Sequence, residues 1–415
     1  MKHSTQQWDR ERCLDEDQRD PLAEFRDYFY FDDTDRIYLD GNSLGRLPKR
    51  TPELLGDMVR SEWGSGLVQS WNDWMDLPRS VGDRLARSFL GASPGEVIIS
   101  DSTSVNFYKL ACAALDARPG RKVIVTDSEN FPTDRYILAG IAQQRGLELR
   151  TIASDVDGAV EVGQLATVLS EEVALVTFSH VAYRSGAIAD MKEITRQAHR
   201  WGALTLWDLS HSVGSVPIEL DEDDCDLAVG CTYKYLNGGP GSPAFLYVRS
   251  SLQEELRQPI WGWFSQDDQF EMGAHYVPKG GIERFQVGTP PIVQLQSLAL
   301  SLAILENAGI ERLRTKGMLI TEALISMAEE LLIPYGFRLA SPAKAEMRGS
   351  HVTYAHDDAA LINRYLGERG TTITDYRTPD RIRIAPVPLY VKFEELYRGI
   401  ETISEVVRNR RYASQ

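Results

Sequence analysis

Short apolar runs alternate with longer amphipathic segments through the middle of the chain, from about residue 93 onward. The runs are rich in Val, Ile, Leu and Ala, as buried strands are, and the segments between them have the periodicity of helices. The pattern predicts seven strands at 97–99, 122–125, 149–152, 174–178, 203–207, 227–229 and 244–248, and helices at 104–117, 133–146, 161–170 and 189–201. Strands that alternate with helices indicate a mainly parallel sheet covered on both faces, which is an α/β fold.

The two ends of the chain follow different patterns. Residues 1 to about 36 are charged and aromatic, and we predict them to be helical as far as Asp33–Asp35, before a short strand at 37–39. After residue 294 the pattern predicts helices at 294–313 and 319–332, a strand at 351–354, a helix at 359–369, a strand at 381–384 and a last helix from Phe393 to about Asn409. We therefore expect a large domain of residues 46–293 and a smaller α/β domain formed by residues 1–45 and 294–415.

Composition limits the class of partner. The chain has 415 residues with 43% hydrophobic and 25% charged positions, as globular proteins do, and its net charge of −15 argues against nucleic acid as a partner. No apolar run is long enough to span a membrane, and the N-terminal residues lack the apolar core of a signal peptide. The four cysteines show no metal-ligand spacing, so we expect no metal, no disulfide and a reducing cytoplasm.

An acid and a lysine follow two successive predicted strands. Asp208 directly follows the strand at 203–207, and Lys234 comes shortly after the strand at 227–229. A pyridoxal 5′-phosphate (PLP) enzyme needs this pair, because the lysine amine forms a Schiff base with the cofactor aldehyde and the carboxylate keeps the pyridinium nitrogen protonated. Taken alone, the two residues are more simply interpreted as a surface lysine and a turn aspartate.

Other parts of a PLP site occur after other predicted strands. Thr103 and Ser104 open a helix, whose free N–H groups suit a phosphate, although a plain helix cap is the simpler interpretation. The Phe131 ring could stack on an aromatic cofactor, and the alternative is that it packs on the start of the following helix. His211 and Tyr233 have groups that could bond to a cofactor or move a proton, and the alternative for both is a structural role.

Two arginines alternate with isoleucines in the strand at 381–384. Arg381 and Arg383 therefore share one face of that strand, and the proline-rich segment that follows places Arg383 near the strand end. A guanidinium there can clamp a substrate α-carboxylate with two parallel hydrogen bonds, and a solvated strand face is the alternative. The aromatic segment 261–264 and the turn at 288–291 are expected to lie between the two domains.

Five segments together resemble the kynureninase family. They are Leu-Asp-Gly-Asn-Ser-Leu-Gly at 39–45, Phe-Pro-Thr-Asp at 131–134, Asp-Leu-Ser-His at 208–211, Tyr-Lys-Tyr-Leu-Asn at 233–237 and Arg-Ile-Ala-Pro-Val-Pro-Leu-Tyr at 383–390. The resemblance extends from about residue 37 to the last helix, and the first and last segments are the specific ones. It implies the fold-type I PLP-dependent transferase fold, with a mainly parallel seven-stranded sheet and a second, smaller α/β domain.

The implied reaction is the hydrolytic Cβ–Cγ cleavage of L-kynurenine to anthranilate and L-alanine, in tryptophan catabolism. The resemblance makes Lys234 the Schiff-base lysine, Asp208 the partner of the pyridinium nitrogen and Tyr233 a proton donor. It also implies cofactor contacts from Thr103, Ser104, Phe131, Asp134, Ser179, His211 and Tyr233, and substrate contacts from Ser43 and Arg383. A homodimer with shared active sites is implied as well, in which Trp263 and Thr289 reach the cofactor of the partner subunit. Animal members have Asn at the position of Thr289, which leaves both kynurenine and its 3-hydroxy form as candidate substrates.

The alternative is another fold-type I enzyme, such as a class V aminotransferase or a cysteine desulfurase-like lyase. A desulfurase needs a reactive cysteine late in the chain, and no cysteine follows Cys231. An aminotransferase would convert an amino-group acceptor. A non-catalytic PLP-binding regulator would carry a DNA-binding segment or lack the lysine, whereas this chain has an acidic N-terminal segment and Lys234.

Overall fold

The structure is a computed structural model that describes residues 7–31 and 35–414. The α-helices are α1 Arg10–Arg19, α2 Thr51–Asp57, α3 Trp71–Trp74, α4 Leu77–Leu85, α5 Thr103–Asp116, α6 Pro132–Arg145, α7 Val162–Leu165, α8 Met191–Arg200, α9 Ser250–Gln253, α10 Ile292–Ala308, α11 Ile310–Leu331, α12 Ala359–Arg369 and α13 Phe393–Arg408. The strands are β1 Ile37–Tyr38, β2 Val97–Ile99, β3 Val123–Asp127, β4 Glu148–Ile152, β5 Val173–Ser179, β6 Leu204–Asp208, β7 Leu227–Gly230, β8 Phe245–Val248, β9 Arg338–Leu339, β10 Val352–Ala355, β11 Thr372–Ile373, β12 Asp375–Arg377 and β13 Arg381–Ile384. Short 3₁₀ and π-helical turns lie at Ala23–Tyr28, Met58–Gly66, Leu67–Ser70, Ala86–Leu90, Gly281–Phe285, Ile333–Tyr335, Ala345–Met347 and Arg411–Ser414.

Seven strands form the central sheet, in the order β2-β8-β7-β6-β5-β3-β4. Only β8 runs antiparallel to its two neighbours, so the predicted mainly parallel seven-stranded sheet is confirmed. Alternate residues of one strand enter two separate apolar clusters, as Val97 and Ile99 do on one face and Ile98 does on the other. Both faces are therefore covered, and each fully buried aliphatic side chain contributes about 1.5–3 kcal/mol to folding.

A second sheet is antiparallel, with the order β12-β13-β10-β9. Beside it β1, from the N-terminal part of the chain, pairs in parallel with β11 from the C-terminal part. The main chain of Asp40, which follows β1, forms a separate parallel bridge to Ala385, the residue after β13. We propose that these sheets belong to the two domains that the sequence predicts, 46–293 and 1–45 with 294–415; residues 1–6, 32–34 and 415 lie outside the described residues.

The predicted break between the two long helices was wrong in position. It lies at Gly309, where φ is +78°, and not at 314–318, and the axes of α10 and α11 differ by 77°. Lys316, which lies within the predicted break, is instead buried with distant partners: its Nζ donates to Asp20 Oδ2 at 2.7 Å and to the Pro388 carbonyl at 2.6 Å. Within residues 7–31 and 35–414 no single helix is long and apolar enough to cross a membrane, and only the bent pair α10 and α11 together has that length and composition.

The N-terminal helix is shorter than predicted. α1 ends at Arg19, before Pro21, and the next turn is a 3₁₀ helix at Ala23–Tyr28; most of the predicted end at Asp33–Asp35 lies outside the described residues. The helix expected at 161–170 is reduced to α7, and the helices between residues 51 and 90 were not predicted.

Candidate active site

A cavity of about 230 Å³ lies at the carboxyl ends of the parallel strands, where ligands bind in sheets of this kind. Nine of the residues predicted from the sequence line it: Thr103, Ser104, Phe131, Asp134, Ser179, Asp208, His211, Tyr233 and Lys234. They lie at the ends of β5 and β6, or in the loops and first helical turns that follow β2, β3, β6 and β7. The fold therefore collects in one place side chains that are up to about 130 residues apart in sequence.

Lys234 is a buried amine with a histidine as its neighbour. Its Nζ lies 3.0 Å from His211 Nε2, and 5.9 Å from the ring centroids of both Phe131 and Tyr233. Burial, and secondly the charge of Lys234, hold the pKa of His211 well below its usual range. His211 is therefore a neutral imidazole at physiological pH, and it meets the lysine amine as a hydrogen-bond partner without a second positive charge.

Two carboxyl groups, Asp208 and Asp134, also line the cavity. Asp208, at the end of β6, accepts a hydrogen bond at Oδ1 from the main-chain N–H of Ser210 at 2.8 Å. Asp134, in the first turn of α6, is buried, and its Oδ2 has no hydrogen-bond partner in the protein. Burial, and then the charge of Asp208, raise the pKa of Asp134 well above its usual range, so Asp134 keeps a proton more readily than an ordinary carboxyl does.

The N-terminus of α5 opens into the cavity. Ser102 caps the helix by accepting from the N–H of Val105 at 3.4 Å, and Thr103 and Ser104 occupy the first two helical positions. The N–H groups of a first helical turn have no partner within the helix and carry the positive end of its dipole, which favours an anion. Lys109 fixes the preceding turn, because its buried Nζ donates to Asp101 Oδ2 at 2.6 Å and to the Phe285 carbonyl at 2.7 Å.

Asn130 orients two side chains of the cavity wall and was not predicted. Its Oδ1 accepts from the N–H of Phe131 at 2.9 Å and from Ser179 Oγ at 2.7 Å. The Phe131 ring meets Tyr183 edge to face, with centroids 5.2 Å apart. Tyr183, which also lines the cavity, was missed as well. It follows β5 as His211 follows β6. The strand-end rule, that ligand-binding residues lie at or just after the carboxyl ends of the strands, would have found Tyr183 if it had been applied to every strand.

Both arginines of β13 are buried, so a solvated strand face was the wrong alternative. Arg383 donates from Nε to Asp375 Oδ2 at 2.6 Å, from Nη1 to the Tyr183 carbonyl at 2.6 Å and from Nη2 to Ser43 Oγ at 3.2 Å. Arg383 therefore contacts Tyr183, a residue of the cavity wall, and Ser43 contacts Arg383, but neither Arg383 nor Ser43 lines the cavity itself. Arg381 pairs with carboxylates elsewhere and does not contact that wall.

Trp263 and Thr289 do not line the cavity of this chain. The Trp263 ring is 43% exposed and packs on Phe264 and Phe270. Thr289 borders a separate groove of about 550 Å³, together with Trp63 and the residues around it. Nine of the thirteen predicted site residues therefore line the cavity, Arg383 and Ser43 lie next to its wall, and Trp263 and Thr289 lie on the surface.

Gly45 touches the main chain that carries the lysine. Its N–H donates to the Tyr233 carbonyl at 2.8 Å, and a Cβ at residue 45 would lie 2.4 Å from the Lys234 carbonyl oxygen. Gly45→Ala therefore has to displace the Lys234 backbone. Because Lys234 is the predicted Schiff-base lysine, we expect kcat to fall by about 10²-fold, which is the usual effect of displacing a reacting group by on the order of 1 Å.

Gly140→Ala is the control for that substitution, since a Cβ at residue 140, within α6, meets no atom within 4 Å. Its kcat should equal that of the wild type, and alanine should stabilise the helix slightly. Steady-state kinetics and urea unfolding of both variants measure the two effects. If Gly45→Ala had the kcat of the wild type, the predicted displacement of the Lys234 backbone would be wrong.

Comparison with known proteins identifies the relatives of this chain. Residues 82–375 match the family model described as aminotransferase class-V. A kynureninase of Pseudomonas fluorescens is 38% identical over 412 residues, 97% of each chain, and one of Burkholderia pseudomallei (strain 1106a) is 40% identical over 406 residues, 96% of this chain and 95% of the relative. Among solved structures, the cystine C–S lyase C-DES, in a variant with glycine covalently linked to the PLP cofactor, superposes with a TM-score of 0.78 at 19% identity, over 90% of this chain and 97% of that one. That last likeness concerns the fold alone.

Proposed function

Because the chain belongs to the kynureninases within the class-V aminotransferase family, it is a PLP-dependent hydrolase that cleaves L-kynurenine, and we propose that the cavity beside Lys234 is where it does so. The observation that carries this assignment is the contact of 3.0 Å between the buried Lys234 amine and the neutral His211 imidazole, in a cavity that also holds Asp208. The products of the cleavage are anthranilate and L-alanine. We include 3-hydroxykynurenine as a second substrate in the proposal.

The residues around the cavity fit PLP. The α5 N-terminus with Thr103 and Ser104 suits its phosphate, and Phe131 offers an aromatic face to its ring. Asp208 suits its ring nitrogen, and the unpartnered oxygen of Asp134 is a buried polar atom that a ligand would satisfy. When bound, the cofactor supplies an aldehyde for covalent attachment and a ring that takes up an electron pair released at the substrate α-carbon.

Lys234 and His211 control the proton at the substrate α-carbon. The Lys234 amine takes that proton on Nζ, and the neutral imidazole at 3.0 Å holds the amine in place. Since His211 stays uncharged, it adds no second positive charge beside the amine. Arg383, next to Ser43, binds the substrate α-carboxylate and fixes which substrate bond faces Lys234.

Tyr233 completes the proton balance of the cleavage. Burial, and then the electrostatic interaction with Cys231, raise the pKa of the Tyr233 phenol, so the phenol carries a proton at neutral pH. The hydroxyl of a water adds to the side-chain ketone at Cγ, the Cβ–Cγ bond breaks with its electron pair on Cβ, and Tyr233 delivers a proton there. Tyr233 regains a proton that comes from the added water, and Lys234 returns its proton to Cα. Cβ becomes the methyl group of alanine, and Cγ becomes the carboxyl carbon of anthranilate.

The proposal includes a homodimer with shared active sites. Large apolar side chains are exposed beside Thr289, with Trp63, Leu67 and Val68 at 59%, 62% and 77% exposure. Contiguous exposed apolar surface of this kind is typical of an interface. Trp263 and Thr289 are both exposed, which supports the proposal that they contact the cofactor of a partner subunit.

Mixing two inactive variants tests the shared site. Chains with Lys234→Ala, combined with chains that carry both Trp263→Ala and Thr289→Arg, should regain about a quarter of wild-type activity, because random exchange gives hybrid dimers with one intact site each. Sedimentation velocity gives the mass of the assembly. A monomer, or a mixture that stays inactive although the chains exchange, contradicts the dimer.

Anthranilate fluorescence after addition of L-kynurenine tests the reaction itself. We expect equimolar anthranilate and L-alanine, with no requirement for an amino-group acceptor; dependence on a 2-oxo acid would favour an aminotransferase instead. A desulfurase-like lyase lacks support, because all four cysteines are buried and none follows Cys231. A cytoplasmic location and a role in tryptophan catabolism also belong to this proposal; the buried, unpaired thiols support the location.

A further inference from the structure

Asp375 holds one edge of the Arg383 guanidinium. The two residues face each other across the antiparallel pair β12–β13. Arg383 Nε donates to Asp375 Oδ2 at 2.6 Å, and Nη2 contacts the same oxygen. The Arg383 side chain is buried, at 1% exposure, and that of Asp375 is largely shielded, at 11% exposure. A carboxylate that accepts from Nε and Nη2 occupies the side-on edge of a guanidinium.

The other edge of the guanidinium faces the cavity wall. Nη1 donates to the carbonyl of Tyr183, and Nη2 donates to Ser43 Oγ at the longer distance of 3.2 Å. The five N–H groups of arginine form a rigid planar fork, so fixing one edge fixes the direction of the other. A hydroxyl can rotate away, which makes the Ser43 side of this end-on edge the part that a ligand can replace.

We propose that Asp375 is a positioning residue: it holds Arg383 side-on, so that the end-on edge is presented to the substrate α-carboxylate. This inference rests on the proposed role of Arg383 in binding that carboxylate. Asp375 is itself fixed from its other side, because Arg377 Nη1 lies 2.9 Å from Asp375 Oδ1. The carboxylate is therefore held between two arginines and cannot follow Arg383 if the latter turns.

Arg381 offers a matched comparison on the same strand face. It lies two residues before Arg383, is buried, and makes the same side-on contact, with Nε donating to Asp157 Oδ1 at 3.1 Å and Nη2 touching that oxygen. Arg383 donates to Tyr183, which lines the cavity, whereas neither Arg381 nor Asp157 hydrogen-bonds to a residue that lines it. An effect specific to substrate binding is expected at Asp375 and not at Asp157.

Binding and kinetics of Asp375→Asn test the inference. Equilibrium dialysis of the holoenzyme gives the Kd of L-alanine, which carries the α-carboxylate, and of kynuramine, which has the aryl ketone and amine of kynurenine and no carboxylate. We expect the L-alanine Kd and the kynurenine KM to rise about 10- to 100-fold, the range for hydrogen bonds to charged groups. The kynuramine Kd should stay within about twofold, because kynuramine has no carboxylate for Arg383 to bind.

Three variants control the test. Asp157→Asn should leave the KM and both Kd values within about twofold of the wild type. Asp375→Glu keeps the charge but shifts it by one methylene, so it should weaken L-alanine binding by less than Asp375→Asn, and it carries the test alone if the Asn variant does not fold. Arg383→Lys measures the arginine itself, since an ammonium cannot reproduce the two parallel bonds.

The outcomes separate this inference from the proposed function. Tighter L-alanine binding in Asp375→Asn would mean that the aspartate merely competes for Arg383, and an unchanged Kd would mean that it has no effect; either result overturns the inference. An equal loss for kynuramine, or the same loss in Asp157→Asn, would mark a structural defect and overturns it as well. If Arg383→Lys leaves L-alanine binding unchanged, the proposed carboxylate site fails together with the inference; if Arg383→Lys weakens it and Asp375→Asn does not, only the inference fails.

Discussion

Lys234→Ala should reduce kcat for L-kynurenine by about 10³-fold or more. The substitution removes the group that we assign as both the cofactor anchor and the base, and a positioned base alone contributes about 10²- to 10⁴-fold. His211 cannot replace the amine, because it belongs to a separate loop and its depressed pKa makes it a weak base. Single-turnover anthranilate fluorescence measures the loss without interference from product release.

Lys122→Ala is the matched control, since Lys122 is an exposed lysine at the other end of β3 from the cavity. It should behave as the wild type does. Borohydride should attach the cofactor irreversibly to the wild-type protein and to Lys122→Ala, and not to Lys234→Ala, as the mass of the intact chain will report. If Lys234→Ala retained more than about a tenth of wild-type kcat, the assignment of the lysine would be wrong.

The sequence predicted the central sheet because its strands are short, apolar and bounded by turns, and all of that information is local. The two-residue strands β9 and β11 carry no such pattern and form only because a distant segment pairs with them, as β1 does with β11. The misplaced break between α10 and α11 has the same origin. Polar residues such as Lys316 indicate an exposed helix end until Asp20, far away in sequence, is known to pair with them.

The site was predictable as far as the strand-end rule reaches. Asp208 and Lys234 were named because their chemistry and their place after a strand agree, and the cavity contains both. Asp375 was not named, since its importance depends on which side chain faces it across β13, and strand register is not local information. The effect of Asp208 on Asp134 is likewise a property of the folded chain alone.

Asp208→Asn should lower kcat of the holoenzyme by about 10²-fold or more, and yet stabilise the cofactor-free protein. The loss of activity follows from removing the charge that we assign to the cofactor ring nitrogen. The gain in stability follows from Asp134, whose pKa is raised by burial and by the charge of Asp208. Asparagine keeps a carbonyl oxygen that can still accept from the Ser210 N–H.

The pH dependence of unfolding gives the sign of this effect. Above about pH 4 the unfolded chain releases the proton of an ordinary aspartate, whereas a carboxyl with a raised pKa in the folded protein keeps it. The free energy of unfolding therefore falls as the pH rises from about 4 through the pKa of the folded state. Urea unfolding of the cofactor-free proteins between about pH 4 and pH 8 should therefore show a smaller decline in Asp208→Asn than in the wild type.

Asp134→Asn separates the two carboxyls. It should also flatten the pH dependence while leaving Asp208 in place, and adding Asp208→Asn to it should give little further gain, because the two changes remove the same repulsion. A cofactor-free Asp208→Asn protein that unfolds more easily than the wild type at every pH, or a holoenzyme variant with wild-type kcat, would contradict the argument. If both effects are found, the carboxylate that serves the cofactor destabilises the empty cavity, so cofactor binding relieves a repulsion that folding alone leaves in place.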